Sequence, residues 1–155
     1  VSYIDSIAAV HEILAEQGFE DIDIKQLIQK LSSAILNYSS SDTRNIKIIT
    51  TGDTVLVNAD TASSVMLVIN ELLSNSLEHG FRTKKSGNID IRISNEEVFA
   101  IFTITDDGDG FQQKTNFESL GLNIVKAIVK DKLNGKIRIH SSKSGTVTEF
   151  SIKIK

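Results

Sequence analysis

The sequence predicts an α/β protein, a two-layer sandwich in which helices cover one face of a sheet and a helical stub leads the chain. Ile89-Asp-Ile-Arg-Ile93, Lys136-Ile-Arg-Ile-His140 and Phe150-Ser-Ile-Lys-Ile154 alternate apolar and polar residues, so each strand has a single face to bury. Ala62, Val65, Met66, Ile69, Leu72, Leu73, Ser76 and Leu77 form one broad stripe at helical spacing, the counterpart that such a face needs. With 155 residues and 40% hydrophobic content, the chain has room for one globular core.

The elements follow in order. Ile4, Ile7, Ala8, His11, Leu14 and Ala15 recur at helical spacing over residues 1–15, and Val10 and Ile13 widen that surface, so this helix wants partners on more than one side. A second helix is signalled by Ile24, Leu27, Ile28, Leu31, Ala34, Ile35 and Tyr38. Asp23 and Gln26 are placed for a capping box, and Ile22 and Leu27 for a hydrophobic staple. Ser39–Asp42 is a short polar link. Ile46-Lys-Ile-Ile-Thr-Thr and Val55-Leu-Val-Asn flank Gly52-Asp53, which reads as a hairpin, and Asn95-Glu96-Glu97 reads as a turn after the strand at 89–93. No internal repeat or low-complexity segment interrupts the chain.

Composition sets boundaries on function. A net charge of −3 argues against nucleic acid as the main partner. The chain has no cysteine, hence no disulfide, and no apolar run near the roughly 18 residues of a membrane span, nor a secretory signal; a cytoplasmic setting is expected. Proline is absent altogether.

The chemistry concentrates in three segments. In Glu-Leu-Leu-Ser-Asn-Ser-Leu-Glu-His, residues 71–79, a regular helix at about 100° per residue places Glu71, Asn75 and His79 along one edge beside the apolar stripe. Such an edge is commonly a solvated helix face. It also suits a nucleotide bound through Mg²⁺, which takes one or two protein oxygens and fills its octahedron with water and phosphate. The Asn75 carbonyl fits that role, Glu71 can orient a metal-bound water or accept a proton, and His79 can donate to phosphate.

Next, Phe99-Ala-Ile-Phe-Thr-Ile-Thr105 reads as a buried strand with Asp106 at its end, followed by Gly108 and Gly110. An Asp-Gly sequence is an ordinary turn, yet a carboxylate at a strand end also accepts from the exocyclic amine of adenine, and glycines let a ligand approach the backbone. Finally, Ser119-Leu-Gly-Leu-Asn-Ile-Val125 leads from a glycine turn into a helix bearing Leu122, Val125, Ile128 and Val129. Gly121 there is either a close-packing residue or the opening of a helix N-terminus that attracts phosphate.

Taken in this order, the three segments resemble the N, G1 and G2 boxes of the GHKL ATPases, and in detail the sensor histidine kinases of a subclass related to the HWE kinases. The resemblance covers nearly the whole chain. It implies a Bergerat-type fold with a mixed sheet, Mg²⁺ on Asn75, Glu71 as the acidic catalytic partner, His79 at the phosphates and Asp106 as the adenine anchor. Gly108 and Gly110 fall on the G1 glycines, and Gly121, with Leu122 beside it, on G2. Gly145-Thr146 resembles the Gly-Thr before the last strand, with Thr148 an alternative register for that threonine. Two departures stand out: Ser119 replaces the first G2 glycine, and only Phe111 to Glu118 separate G1 from G2 as a short lid. Asp109 also stands where these kinases often carry proline.

The resemblance further implies that residues 1–40 are the C-terminal part of a dimerisation and phosphoacceptor region, and residues 41–155 the ATP-binding catalytic domain. The expected activity is transfer of the γ-phosphoryl of Mg-ATP to a histidine on a helix before Val1. Expected partners are ATP, that helix, a response regulator and a second copy in the full-length protein. His11-Glu12 mimics the phosphorylated His-Glu of ordinary kinases, but no Arg or Pro follows, so His11 reads as a structural or interface histidine, with acceptor the minority reading. His140 reads as solvated. Two other functions share the same boxes: a serine kinase of the anti-sigma type, and a non-catalytic module whose readout is lid order. Clamp ATPases share them too but need a further domain.

Overall fold

Alternation along the central strands builds the sheet on which everything else rests. The computed structural model describes residues 3–15, 21–38, 44–110 and 120–155. In β4 (Ser86–Glu96), Ile89, Ile91 and Ile93 are buried while Asp90 and Arg92 face solvent. In β5 (Phe99–Asp106), Ala100, Phe102, Ile104 and Asp106 share the buried face. The last strand, β7 (Gly145–Lys153), buries Thr146, Thr148, Phe150 and Ile152. Phe102 and Phe150 are register partners and stack with centroids 4.9 Å apart. Each such side chain contributes on the order of 2 kcal/mol by leaving water.

The five strands run β2 (Asn45–Gly52), β4, β5, β7, β6 (Ile137–Ser142), with β2 parallel to β4 and the other pairs antiparallel. This is a mixed sheet buried on one face, the two-layer α/β arrangement expected.

Helix α3 (Ala59–Asn75) crosses the buried face with Val65, Met66, Ile69, Leu72 and Leu73 inside. Asn58 caps it, its side chain accepting from Thr61 N at 2.8 Å, with Asp60 in the first turn favouring the dipole. Helix α4 (Leu120–Ala127) adds Val125, and a wide π-type turn after it, Ile128–Lys132, adds Val129.

The N-terminal stub is α1 (Tyr3–Ala15) and α2 (Ile24–Tyr38). Asp23 accepts from Gln26 N at 3.2 Å, the N-cap half of the anticipated box. Ile24, Leu27, Ile28, Leu31 and Ile35 are buried, in one hydrophobic cluster with the sheet. Helix α1 packs against both α2 and α3, and Val10 is its most buried described side chain. The side chains of Ile4, Ile7 and Tyr38, the link at Ser39–Asp42 and the lid at Phe111–Glu118 with Ser119 lie outside the described residues. No helix among the described residues is long and apolar enough to cross a membrane.

Three sequence expectations are corrected. Gly52-Asp53 does not close a hairpin: Gly52 takes φ +103° and Asp53 N donates to Ile93 O at 2.8 Å, so β2 ends against β4. The following residues Leu56–Val57 form β3, which pairs with β1 (Ile22–Asp23) in a separate two-stranded sheet. A local turn signal was overridden by the parallel partner across α3. The strand expected at Phe150–Ile154 begins five residues earlier, at Gly145. The helix through 71–79 is not regular either, because Ser76–Gly80 widens into a π-type turn.

Candidate active site

That widened turn changes the geometry of the polar edge. Glu71 and Asn75 remain one α-turn apart on α3, Asn75 being its last residue, whereas His79 lies on the π segment, where each residue advances less around the axis. His79 is half-buried, with Nε2 3.8 Å from the Glu78 carboxylate. Arg44, just before β2, holds the turn from outside, its Nη1 donating to Leu77 O at 2.8 Å and Phe81 O at 3.1 Å. Guanidinium on the last carbonyls of a helix satisfies groups that would otherwise lack partners.

Glu71 is half-buried, and its environment is chemically active. Burial, and then the neighbouring Glu78, push its carboxyl above the ordinary value of 4.5, while His79 pulls part of the way back. Its carboxylate meets the start of α4: a β-carbon on Gly121 would lie 1.9 Å from Oε1. Leu122 follows, half-buried, in the first turn of that helix. Asn75 is half-buried, and its amide has no hydrogen-bond partner among the described residues.

Asp106 ends β5 on the buried face, only 3% exposed. Ser76 Oγ donates to Oδ2 at 2.9 Å, and Gly108 N and Thr146 N donate to Oδ1 at 3.1 and 3.3 Å. A carboxylate offers about four acceptor positions. Three are taken, which leaves about one for a donor such as an exocyclic amine. A β-carbon on Gly80 would stand 3.5 Å from the carboxylate, in ordinary contact with it.

The turn after Asp106 is bound on every side. A β-carbon on Gly108 would lie 2.0 Å from Gly80 O, and one on Gly110, at φ +74°, 1.8 Å from Ser142 O. Asp107 accepts from Asn88 N at 2.7 Å and Asn88 Nδ2 at 3.3 Å. Asp109 accepts from the backbone and hydroxyl of Thr83, and these bonds hold its carboxyl below the usual range.

Thr146 and Thr148 share the face of Asp106. Thr146 pairs with Asp106 in the ladder and its hydroxyl meets Ser141 Oγ at 2.9 Å, while Thr148 pairs with Ile104 one pleat away. His11 on α1 and His140 on β6 are both exposed, and His140 lies on the solvent face of the sheet, opposite Val147.

Ser76, Thr83 and Asn88 were not singled out from the sequence. Ser76 fell within the apolar stripe, and a hydroxyl on a stripe that should be apolar was the available signal. Thr83 and Asn88 act only through long-range contacts.

Residues 60–155 match the histidine kinase-, DNA gyrase B-, and HSP90-like ATPases, and the chain belongs to this family. It is 30% identical over 149 residues to the sensor histidine kinase PdtaS of Mycolicibacterium smegmatis, covering 94% of this chain and 30% of that protein. The histidine kinase domain of the Erythrobacter litoralis EL346 blue-light activated kinase superposes with a TM-score of 0.86 at 23% identity, over 99% of this chain and 75% of that one. Histidine kinase ThkA, solved in complex with the response regulator protein TrrA, superposes with a TM-score of 0.68 at 20% identity, over 98% of this chain and 47% of that one. At these identities the two structures speak to fold alone. The chain thus spans under a third of the curated relative's length.

Proposed function

We propose that residues 41–155 are the ATP-binding catalytic domain of a two-component sensor histidine kinase and residues 1–40 the end of its dimerisation and phosphoacceptor region. The reaction is transfer of the γ-phosphoryl of ATP to a histidine on an upstream helix. The observation that carries this reading is Asp106, a buried carboxylate held by Ser76, Gly108 and Thr146 with acceptor capacity to spare. It is suited to the amine of adenine.

The remaining roles belong to the same reading. Gly108 and Gly110 keep side chains out of the turn beside the base, with Thr146 and Thr148 on the adjoining face. Gly121 and Leu122 lie in the first turn of α4, and a helix N-terminus favours phosphate. Asn75, the last residue of α3, is assigned to the metal, and His79, on the π-type turn that follows, to the phosphates. Among the described residues no group of three His, Cys, Asp or Glu could enclose a metal, and Mg²⁺ does not ask for one, because it takes most of its ligands from phosphate and water. The Asn75 carbonyl is a hard oxygen of the right kind, and Mg²⁺ there would neutralise phosphate charge.

Glu71, with its raised pKa, can take the proton that the attacking imidazole sheds, a role that works best when the pKa approaches the working pH. Positioning and charge stabilisation supply most of the rest. A cytoplasmic setting, a response regulator as the next acceptor and a homodimer of the full-length protein complete the proposal.

Radiolabelled ATP tests it. The full-length protein should acquire acid-labile, alkali-stable label on an upstream histidine, whereas the isolated 155-residue chain should bind ATP and stay unlabelled. Strong label on the isolated chain that disappears in His11→Gln would make His11 the acceptor; phosphoserine on a partner would indicate the anti-sigma type of kinase instead.

A further inference from the structure

We propose that Thr83 is a positioning residue for nucleotide binding, acting through Asp109 to fix the turn that meets the base against the helix end that meets the phosphates. The inference rests on the ATP-site reading above and deepens it.

The turn Asp106–Gly110 contains two glycines and has little stiffness of its own. Its three carboxylates do different things: Asp106 is buried and held by Ser76, Gly108 and Thr146, Asp107 grips Asn88 of β4, and Asp109 reaches the segment that leaves the π-turn. There Thr83 N and Thr83 Oγ1 each donate to a different oxygen of Asp109, both at 2.8 Å. The neighbouring backbone is tied in parallel. Asp109 N donates to Gly80 O at 2.5 Å, and Lys84 Nζ donates to Asp107 O at 2.6 Å and Gly108 O at 3.2 Å. The contact of Gly108 with Gly80 leaves no space for a β-carbon.

Thr83 and Asp109 therefore close a bridge between two parts of one site. On one side are Ser76 and His79 of the π-turn, with Asn75 just before it; on the other is the turn beginning at Asp106. A ligand that reaches from base to phosphates binds best when those two parts already stand at the right separation, because otherwise binding must order them. A ligand that touches only the base gains little from the bridge. Thr83 is exposed, so cutting the bridge removes no core volume.

Calorimetric titration of the chain with Mg-ATP and with adenosine tests this, using wild type, Thr83→Val, Thr83→Ser, Asp109→Ala and the Thr83→Val/Asp109→Ala double variant. Thermal midpoints are measured alongside. Thr83→Val keeps the backbone bond and should weaken ATP roughly three-fold; Asp109→Ala loses both bonds and should weaken it roughly ten-fold. Thr83→Ser should bind like wild type, and the double variant no more weakly than Asp109→Ala, because the two residues act as one unit. Adenosine affinity should fall less than ATP affinity. Wild-type ATP binding that persists unchanged in Asp109→Ala and Thr83→Val would overturn the bridge alone, as would equal losses for ATP and adenosine. If Thr83→Val fails to fold, Asp109→Ala decides by the same criteria. A wild-type chain that does not bind ATP would overturn the ATP-site reading and this inference with it.

Discussion

The Glu71 carboxylate lies where a β-carbon on Gly121 would sit, with Oε1 1.9 Å and Cδ 2.5 Å from that position. Two segments fifty residues apart in sequence are thereby packed so that the Glu71 carboxylate of α3 touches the first turn of α4. Glycine at 121 is a steric condition on where Glu71 can point.

Gly121→Ala should therefore displace Glu71 without unfolding the protein, since the end of a glutamate can swing where a backbone atom cannot. Phosphoryl transfer by the full-length protein should fall about ten-fold or more, in line with the loss of a well-placed proton acceptor, while ATP binding by the chain changes less. Initial rates of labelling beside binding titrations check this; transfer at the wild-type rate would remove Glu71 from the catalytic role.

Glu71→Gln should separate stability from activity. A carboxyl whose folded pKa is raised favours the unfolded state once the pH exceeds its ordinary value of 4.5, so this position loses stability as pH rises through and above that value. The variant should melt higher than wild type at pH 7.5, the gap should narrow at pH 5, and transfer should be lost. Thermal unfolding at the two pH values decides, and a variant that melts lower than wild type at pH 7.5 would contradict the burial of a charged Glu71.

Asn75→Ala should leave the fold intact, because the side chain is half-buried at the end of α3 and fills no core space. Its effect should be on metal dependence. ATP binding by wild type should strengthen with Mg²⁺, and the variant should lose most of that gain. Titrations with and without Mg²⁺ read this directly; an unchanged gain would take Asn75 out of the metal site.

Much of this was legible in the sequence wherever one local period set the structure. The stripe of α3 and the alternation of β4 come from single side chains choosing between water and a core. Asp106 could be placed because strand and turn chemistry meet there. What escaped depends on distant partners. Gly52-Asp53 carries a hairpin signal, but the backbone of Ile93 takes up the Asp53 N–H and sends β3 to β1 instead. The π-turn at Ser76–Gly80 has no local signature, and it is held by Arg44, more than thirty residues away in sequence. Ser76 looked like a core position, and its hydroxyl gains meaning only beside Asp106.

The central claim is that Asp106 reads adenine. A carboxylate accepts from the adenine amine but faces the carbonyl oxygen of guanine, and a buried polar group left unpaired costs about 1–3 kcal/mol, or roughly ten-fold in affinity. The measurement is calorimetric titration of the wild-type chain and of Asp106→Ala with Mg-ATP and Mg-GTP. ATP should bind at least about ten-fold more tightly than GTP to wild type, and the preference should vanish in the variant. Equal affinity of wild type for the two nucleotides, or a preference that survives in Asp106→Ala, would contradict the account.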